Sequence, residues 1–313
     1  MTTTGTLSTL AKHFTNEDAA IAKLESIRWP NGAACPHCGG ADPHRVKVGK
    51  AQQGKRGARK GLWRCTQCQR QFTVKVGTVF EQSHIPVSKW LLAIHLLAAS
   101  KKGMSAHQFH RMLGMTYRAA WFMVHRLRHA MATEGGLFRP LEGVVEIDEA
   151  YIGPRRRRLG DPEFKPKMPV VGLVERGGRA RLFPVENVTQ HTLKSAVDAH
   201  VSKKAHVMTD DLQTYVGPVV GARKHETVVH SKKEYVRGNV HTNTVEGFFG
   251  LFKRGIIGSF HHVSKGHLHR YCDEFEFRYN RRDLTDGERA AEIVTGAEGK
   301  RLTYRQPSGT RAA

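Results

Sequence analysis

The chain has 313 residues, 39% of them apolar and 25% charged, enough to bury a core in two or three modules. Its 50 Lys and Arg against 28 Asp and Glu leave a formal charge of +22, which favours a polyanionic partner, nucleic acid above all. The longest apolar run, Ile85 to Ala99, is broken by Ser88, Lys89 and His95, so no membrane span is expected. Met1 to Thr9 is too polar for a signal peptide, and five cysteines, four of them in CxxC pairs, exclude a disulfide scaffold. A reduced, cytoplasmic setting is expected.

In chain order, Met1 to Leu10 reads as a frayed tail. Asn16, followed by Glu17, Asp18 and an Ala/Ile/Leu pattern, predicts a short helix to Ile27 that Pro30-Asn31-Gly32 ends. Cys35 to Val76 turns to Gly, Lys, Arg and Cys, and residues 39 to 70 hold nine Lys/Arg and one acid, Asp42. From Val87 the pattern is helical, with Trp90, Leu91, Ile94, Leu97 and Ala98 on one face. A second helix is expected at Ser105 to Leu113 and a third at Tyr117 to Met131, with Gly114-Met115-Thr116 between them. Beyond Gly135-Gly136 the pattern changes to strands: Val144 to Ile152, then Val170 to Glu175 and Ala180 to Val185 around Gly177-Gly178. Thr189 to Val201 reads as an amphipathic helix and Ala205 to Thr209 as a short strand ending in Asp210-Asp211. A basic, loop-like stretch leads to helices at about Thr242 to Arg254 and Gly266 to Tyr279, and Gly299 to Ala313 is expected to be disordered.

Cys35-Pro36-His37-Cys38 and Cys65-Thr66-Gln67-Cys68 offer four thiolates in two knuckles, the ligand set of a structural zinc ion. The 26 residues between them are more than a ribbon usually has, and the excess, at 49 to 61, reads as a basic hairpin loop. A region so poor in apolar residues needs an ion to fold; a redox pair is the alternative reading. The segment Ser105 to Arg118 has helix-turn-helix spacing, and its second helix carries Arg118, Arg126 and Arg128 as candidate DNA contacts. Any small structural helix pair would share that spacing.

Three acidic positions sit where chemistry is expected. In Val144-Val145-Glu146-Ile147-Asp148-Glu149-Ala150, Glu146 and Asp148 share one strand face and Glu149 takes the other. Asp210 and Asp211 end a second strand, and ligands of open α/β sheets gather at that edge. Asn243, Glu246 and Lys253 lie along one helix face. Two Mg²⁺ ions would neutralise such a cluster and serve phosphodiester transfer. The plain alternative is three unrelated surface acids.

The ordered blocks in this chain extend that reading. They are Arg28-Trp29-Pro30-Asn31-Gly32, Glu146 to Gly153, Thr209-Asp210-Asp211, His241 to Gly255 and Phe275 to Arg282. With these, the chain resembles insertion-sequence transposases of the DDE superfamily that carry an N-terminal zinc ribbon, the bacterial relatives of Merlin elements. The resemblance implies a multidomain α+β protein. Residues 1–29 would be a tail and short helix, 30–80 a zinc ribbon and 85–134 a helix-turn-helix-like DNA-binding domain. Residues 140–285 would form an RNase H-like mixed α/β catalytic domain, and 286–313 a polar C-terminal tail. By carry-over, Asp148, Asp210 and Glu246 would be the catalytic triad holding two Mg²⁺ or Mn²⁺ ions, with Asn243, Asp211 and Glu146 as second-rank candidates. Lys253 would contact DNA phosphate. The run Arg155 to Arg158, Arg155 and Arg156 foremost, reads either as a solvated loop or as a DNA clamp. His267, His269 and Cys272 do not make a convincing metal site, and Cys272 reads as a small buried apolar residue. The implied partners are double-stranded DNA, as terminal inverted repeats and target, and further copies of the chain for synapsis. A catalytically dead DNA-binding regulator and a structure-specific RNase H-like nuclease are the alternative functions.

Overall fold

The computed structural model describes residues 7–47, 60–132, 139–153, 167–211, 219–232 and 234–303. Arg155, Arg156 and most of the basic 49–61 loop therefore lie outside the described residues. The chain forms two compact units, one from residues 1–100, 105–131 and 283–313 and the other from 101–104 and 132–282.

The first unit joins a three-stranded ribbon to helices. Its elements are α1 (Leu7–Thr15), α2 (Glu17–Arg28), β1 (His44–Arg45), β2 (Trp63–Arg64), β3 (Gln71–Phe72), α3 (Val87–Ala99), α4 (Ala106–Leu113) and α5 (Tyr117–Met131), with the chain's last helix, α9 (Asp286–Thr295). The strands pair antiparallel in the order β1-β2-β3. Local chemistry sets the helix starts. The Asn16 side chain accepts from the backbone N–H groups of Asp18 and Ala19 at 2.9 and 3.1 Å. Glu17, one residue on, reaches across to cap α3, accepting from Val87 N (2.7 Å) and Ser88 N (3.0 Å). A Ser105–Gln108 capping box opens α4, and Gly114, at φ +55°, closes it before α5 begins.

Two expectations about the chain ends are overturned. Helix α1 starts at Leu7, inside the supposed frayed tail. Residues 286–313 are not simply a polar tail, because α9 opens on a Thr285–Glu288 capping box and buries Ile293 and Val294, with contacts to α2, α3 and α5. Lys300, inside the stretch expected to be disordered, is buried and donates to the His129 carbonyl at 3.3 Å.

The second unit is a mixed sheet between helices. It contains β4 (Val144–Ile152), β5 (Met168–Glu175), β6 (Ala180–Pro184), α6 (Gln190–His200), β7 (His206–Thr209), β8 (Lys224–Thr227), a small β9–β10 ladder (Val236–Arg237, Val240–His241), α7 (Asn243–Gly255) and α8 (Leu268–Asn280). The five-stranded order is β6-β5-β4-β7-β8, antiparallel through β4 and parallel thereafter. Strand β8 falls in the stretch read as loop, because Lys224-His225-Glu226-Thr227 carries no apolar alternation. One face of the sheet buries Val145, Ile147, Val171 and Leu173 with Leu193 and Val197 of α6. The other buries Ala150, Ile152, Val170 and Val174 with the Phe residues of α7 and with α8. Helix α8 also covers the free edge of β6: Asn280 accepts from Ala180 N at 2.7 Å and donates to Ala180 O at 3.0 Å. The multidomain α+β class expected from the sequence is what the chain adopts.

Candidate active site and zinc-ribbon centre

The four ribbon cysteines converge. Their sulfurs all lie within 4.8 Å of one another, with Cys35–Cys68 at 3.7 Å and Cys38–Cys65 at 3.6 Å. A tetrahedron of thiolates about 2.3 Å from zinc has edges of about 3.8 Å, so the donor set fits structural Zn²⁺. Each knuckle is shaped by its backbone: Gly39 N bonds to Cys35 O at 2.8 Å, and Cys65 N to Arg70 O at 3.0 Å. The Cys68 N–H, 3.4 Å from Cys65 Sγ, leads the bonds that lower the Cys65 thiol, while the neighbouring sulfurs raise that of Cys38. Around the knuckles is a small core of Phe72, Trp29 and Trp63, with Trp29 edge-on to both other rings.

The acids come from three elements. Asp148 lies on the face of β4 turned toward α7, Asp210 directly follows β7, and Glu246 stands in the first turn of α7. Burial, with the neighbouring Glu149 charge, pushes the Asp148 carboxyl up to about 7, and the charges of Asp210 and Glu246 add to the rise. Opposing them is the Glu149 N–H, which donates to Asp148 Oδ1 at 2.8 Å. Asp148 therefore lies within electrostatic reach of both Asp210 and Glu246. The Glu246 carboxylate also accepts from Thr242 Oγ1 at 2.7 Å. Asp211 turns to another partner, accepting from Ser231 Oγ at 2.7 Å, while Asn243 is exposed at the start of α7.

Glu146 has a different role from the metal ligand considered for it. It is 0% exposed, and its carboxylate accepts from Thr244 N (2.7 Å), Val245 N (2.9 Å), Thr244 Oγ1 (2.9 Å) and Arg176 Nε (2.5 Å). It thus caps the N-terminus of α7 from the strand that carries Asp148. Arg176 extends the link to the carbonyls of Asn239 (2.7 Å) and His241 (2.8 Å).

Gly172, which the sequence reading passed over, is the register partner of Asp148 on β5. A Cβ there would stand 2.8 Å from the Phe249 ring and 3.3 Å from Val245, so its absence lets α7 lie close to the sheet. The available signal was a glycine interrupting an apolar strand.

Two of the candidate DNA contacts are corrected by their burial. Arg126 is 7% exposed and donates to the carbonyls of Leu302 (3.2 Å) and Glu81 (2.9 Å), and Arg128 is 1% exposed. From Met123 to Arg128 every residue of α5 is buried, so this stretch of the helix has no solvent face for either arginine. Arg118 and Lys253 are exposed, the latter with Nζ 5.8 Å from the Phe249 ring centre. Arg278 is committed to a buried pair with Glu274 at 2.7 Å, and Cys272 is buried, as its reading as an apolar residue requires.

In chain order, a ribbon with four converging cysteines precedes a mixed sheet that carries Asp148 on its central strand. Residues 140–280 match the ISXO2-like transposase domain, and residues 15–71 match the transposase zinc-ribbon domain. Over 286 residues the chain is 30% identical to an uncharacterized protein in transposable element ISH50 of Halobacterium salinarum, a match covering 85% of this chain and 92% of that protein. The chain belongs to the insertion-sequence transposases that carry an N-terminal zinc ribbon.

Proposed function

We propose that Asp148, Asp210 and Glu246 hold the catalytic metal ions of a DDE transposase, which cuts and joins DNA at the ends of its insertion sequence. The observation that carries this reading is that Asp148 on β4 lies within electrostatic reach of Asp210, directly after β7, and of Glu246 in the first turn of α7. An all-oxygen donor set whose members repel one another suits hard divalent cations, Mg²⁺ or Mn²⁺. Among the described residues, only the cysteines form a group of three or more candidate ligands within 4.8 Å. When bound, such ions supply charge neutralisation and activate a water or 3′-hydroxyl for in-line attack on a phosphodiester.

The chain's own groups have distinct tasks. Thr242 orients Glu246, and Glu146 fixes the helix that presents it. Lys253, two turns beyond Glu246 on α7, would contact a DNA phosphate. Asp210 is preferred to Asp211 as the second ligand because the charge of Asp210 acts on Asp148. The zinc ribbon and the α4–α5 pair would bind the terminal inverted repeats, with Arg118 at the exposed start of α5, and synapsis of two ends would require further copies of the chain.

The test maps strand breaks, with Mg²⁺ present, on a plasmid carrying the gene's flanking DNA. Wild type is expected to cut at discrete ends and Asp148→Asn to bind those ends without cutting. Binding without cutting by wild type would favour a dead regulator, and cutting of branched DNA lacking the repeats would favour a nuclease.

A further inference from the structure

Helix α7 has an outer stripe that the acids do not account for. At 100° per residue, Glu246, Gly250, Lys253 and Ile257 fall on one side of α7 and the turn continuing it. Val245, Phe248, Phe249, Phe252 and Ile256 are buried on the other side. Ile257 is 68% exposed, the highest value among the exposed large apolar residues described.

That exposure is built into the backbone. Ile256–Phe260 form a π turn, which fits an extra residue into the helical path and is frequent at functional sites. Gly255 is locked in place, since a Cβ there would stand 2.2 Å from the Phe275 ring and 3.0 Å from the Lys102 carbonyl. With Gly255 and Ile256 both held inward, the turn presents Ile257 to solvent. Gly258 beside it has nothing within 4 Å of where its Cβ would be, so the tip stands clear.

The surroundings select the partner. From Gly247 to Cys272 the chain holds two Lys, two Arg, four His and no Asp or Glu. Lys253, Arg254, His261, His262 and Lys265 are exposed. A second copy of a +22 chain would meet like charge here, whereas duplex DNA offers phosphates to the cations and base steps to an apolar wedge.

We infer that the outer stripe of α7 is a DNA-tracking surface and that Ile257 is a wedge that unstacks a base step in the DNA held at Glu246. Eleven residues at 1.5 Å each put it about 16 Å from Glu246, a span of about five base pairs. The inference rests on the acids being the site of strand cleavage.

The experiment places 2-aminopurine at successive positions around the cut site in a duplex of the element's own terminal sequence. Binding is followed by anisotropy and unstacking by fluorescence. Wild type is expected to brighten one position several-fold. Ile257→Ala should lose that signal and Ile257→Leu keep it, and Ile257, being exposed, can be changed without opening the core. Equal brightening in Ile257→Ala, or none in wild type despite binding and cutting, overturns the wedge and leaves the active-site reading standing. Binding without cutting overturns the active-site reading first, and the inference with it. If Ile257→Ala instead dissociates an oligomer in sedimentation and leaves DNA fluorescence unchanged, the stripe is a contact between copies and the inference is wrong.

Discussion

Asp148 reverses the usual behaviour of a carboxylate in a folded protein. An acid paired with a cation stabilises the fold once it ionises. Asp148 instead meets burial and other acids, and its pKa rises from the ordinary value to about 7. Between those two values the folded chain holds a proton that the unfolded chain has released, so stability falls as pH rises through that window. Asp148→Asn keeps the shape and removes the charge. The metal-free variant is therefore expected to melt above wild type at about pH 8, with a gap about half as large at about pH 5.5. Mg²⁺ should stabilise wild type more at the higher pH, because the ion must displace the proton, and should not stabilise the variant in this way. Thermal denaturation at the two pH values decides it: a gap independent of pH would mean that Asp148 ionises normally.

Among elements, the relation of β4 to α7 determines the site. Glu146 and Asp148 are two residues apart on one strand face. The first holds the start of α7 and the second faces the acid which α7 presents. Gly172 on β5 admits α7 to that distance. Gly172→Ala is expected to push Phe249 outward at a cost of about 1–3 kcal/mol, the range for an overpacked core. Because a displacement of about 1 Å at a reacting centre can cost about a hundredfold in rate, cleavage should fall at least tenfold while end binding persists. Single-turnover cutting beside a binding isotherm would show this, and unchanged cutting would mean that the α7–β5 spacing is not limiting.

The same elements show what could be read from the sequence. Strand β4 is predicted at its observed bounds because an apolar run and flanking turn residues both bear on it. Glu146 was grouped with Asp148 because alternation gives a side chain's face, not its partners. Those partners, Arg176 and the start of α7, are about 30 and 100 residues away in sequence. Arg126 and Arg128 were misassigned for a related reason. Sequence charge suggested solvent or DNA, while the carbonyls that accept from Arg126 come from Glu81 and Leu302.

In the molecule as a whole, the C-terminal segment completes the N-terminal unit. Ala297 O accepts from Val79 N at 3.2 Å, Gly299 N donates to Gly77 O at 2.9 Å, and Glu298 takes a two-pronged bond from Arg28 at 2.6 and 2.7 Å. The Arg28 side chain is almost fully buried and also donates to Val74 O, so losing Glu298 would strand a buried cation. Removing everything after Arg282 also uncovers the surface that Ile293 and Val294 bury, about 3–6 kcal/mol for the two side chains. Against a typical domain stability of about 5–15 kcal/mol, the first unit should then be marginal or unfolded. All four tryptophans, Trp29, Trp63, Trp90 and Trp121, belong to that unit, so their emission reports on it alone. The truncated chain is expected to show red-shifted tryptophan emission while far-UV circular dichroism keeps the sheet contribution of the second unit. Native emission after truncation would mean that α9 is a passenger on a unit that folds without it.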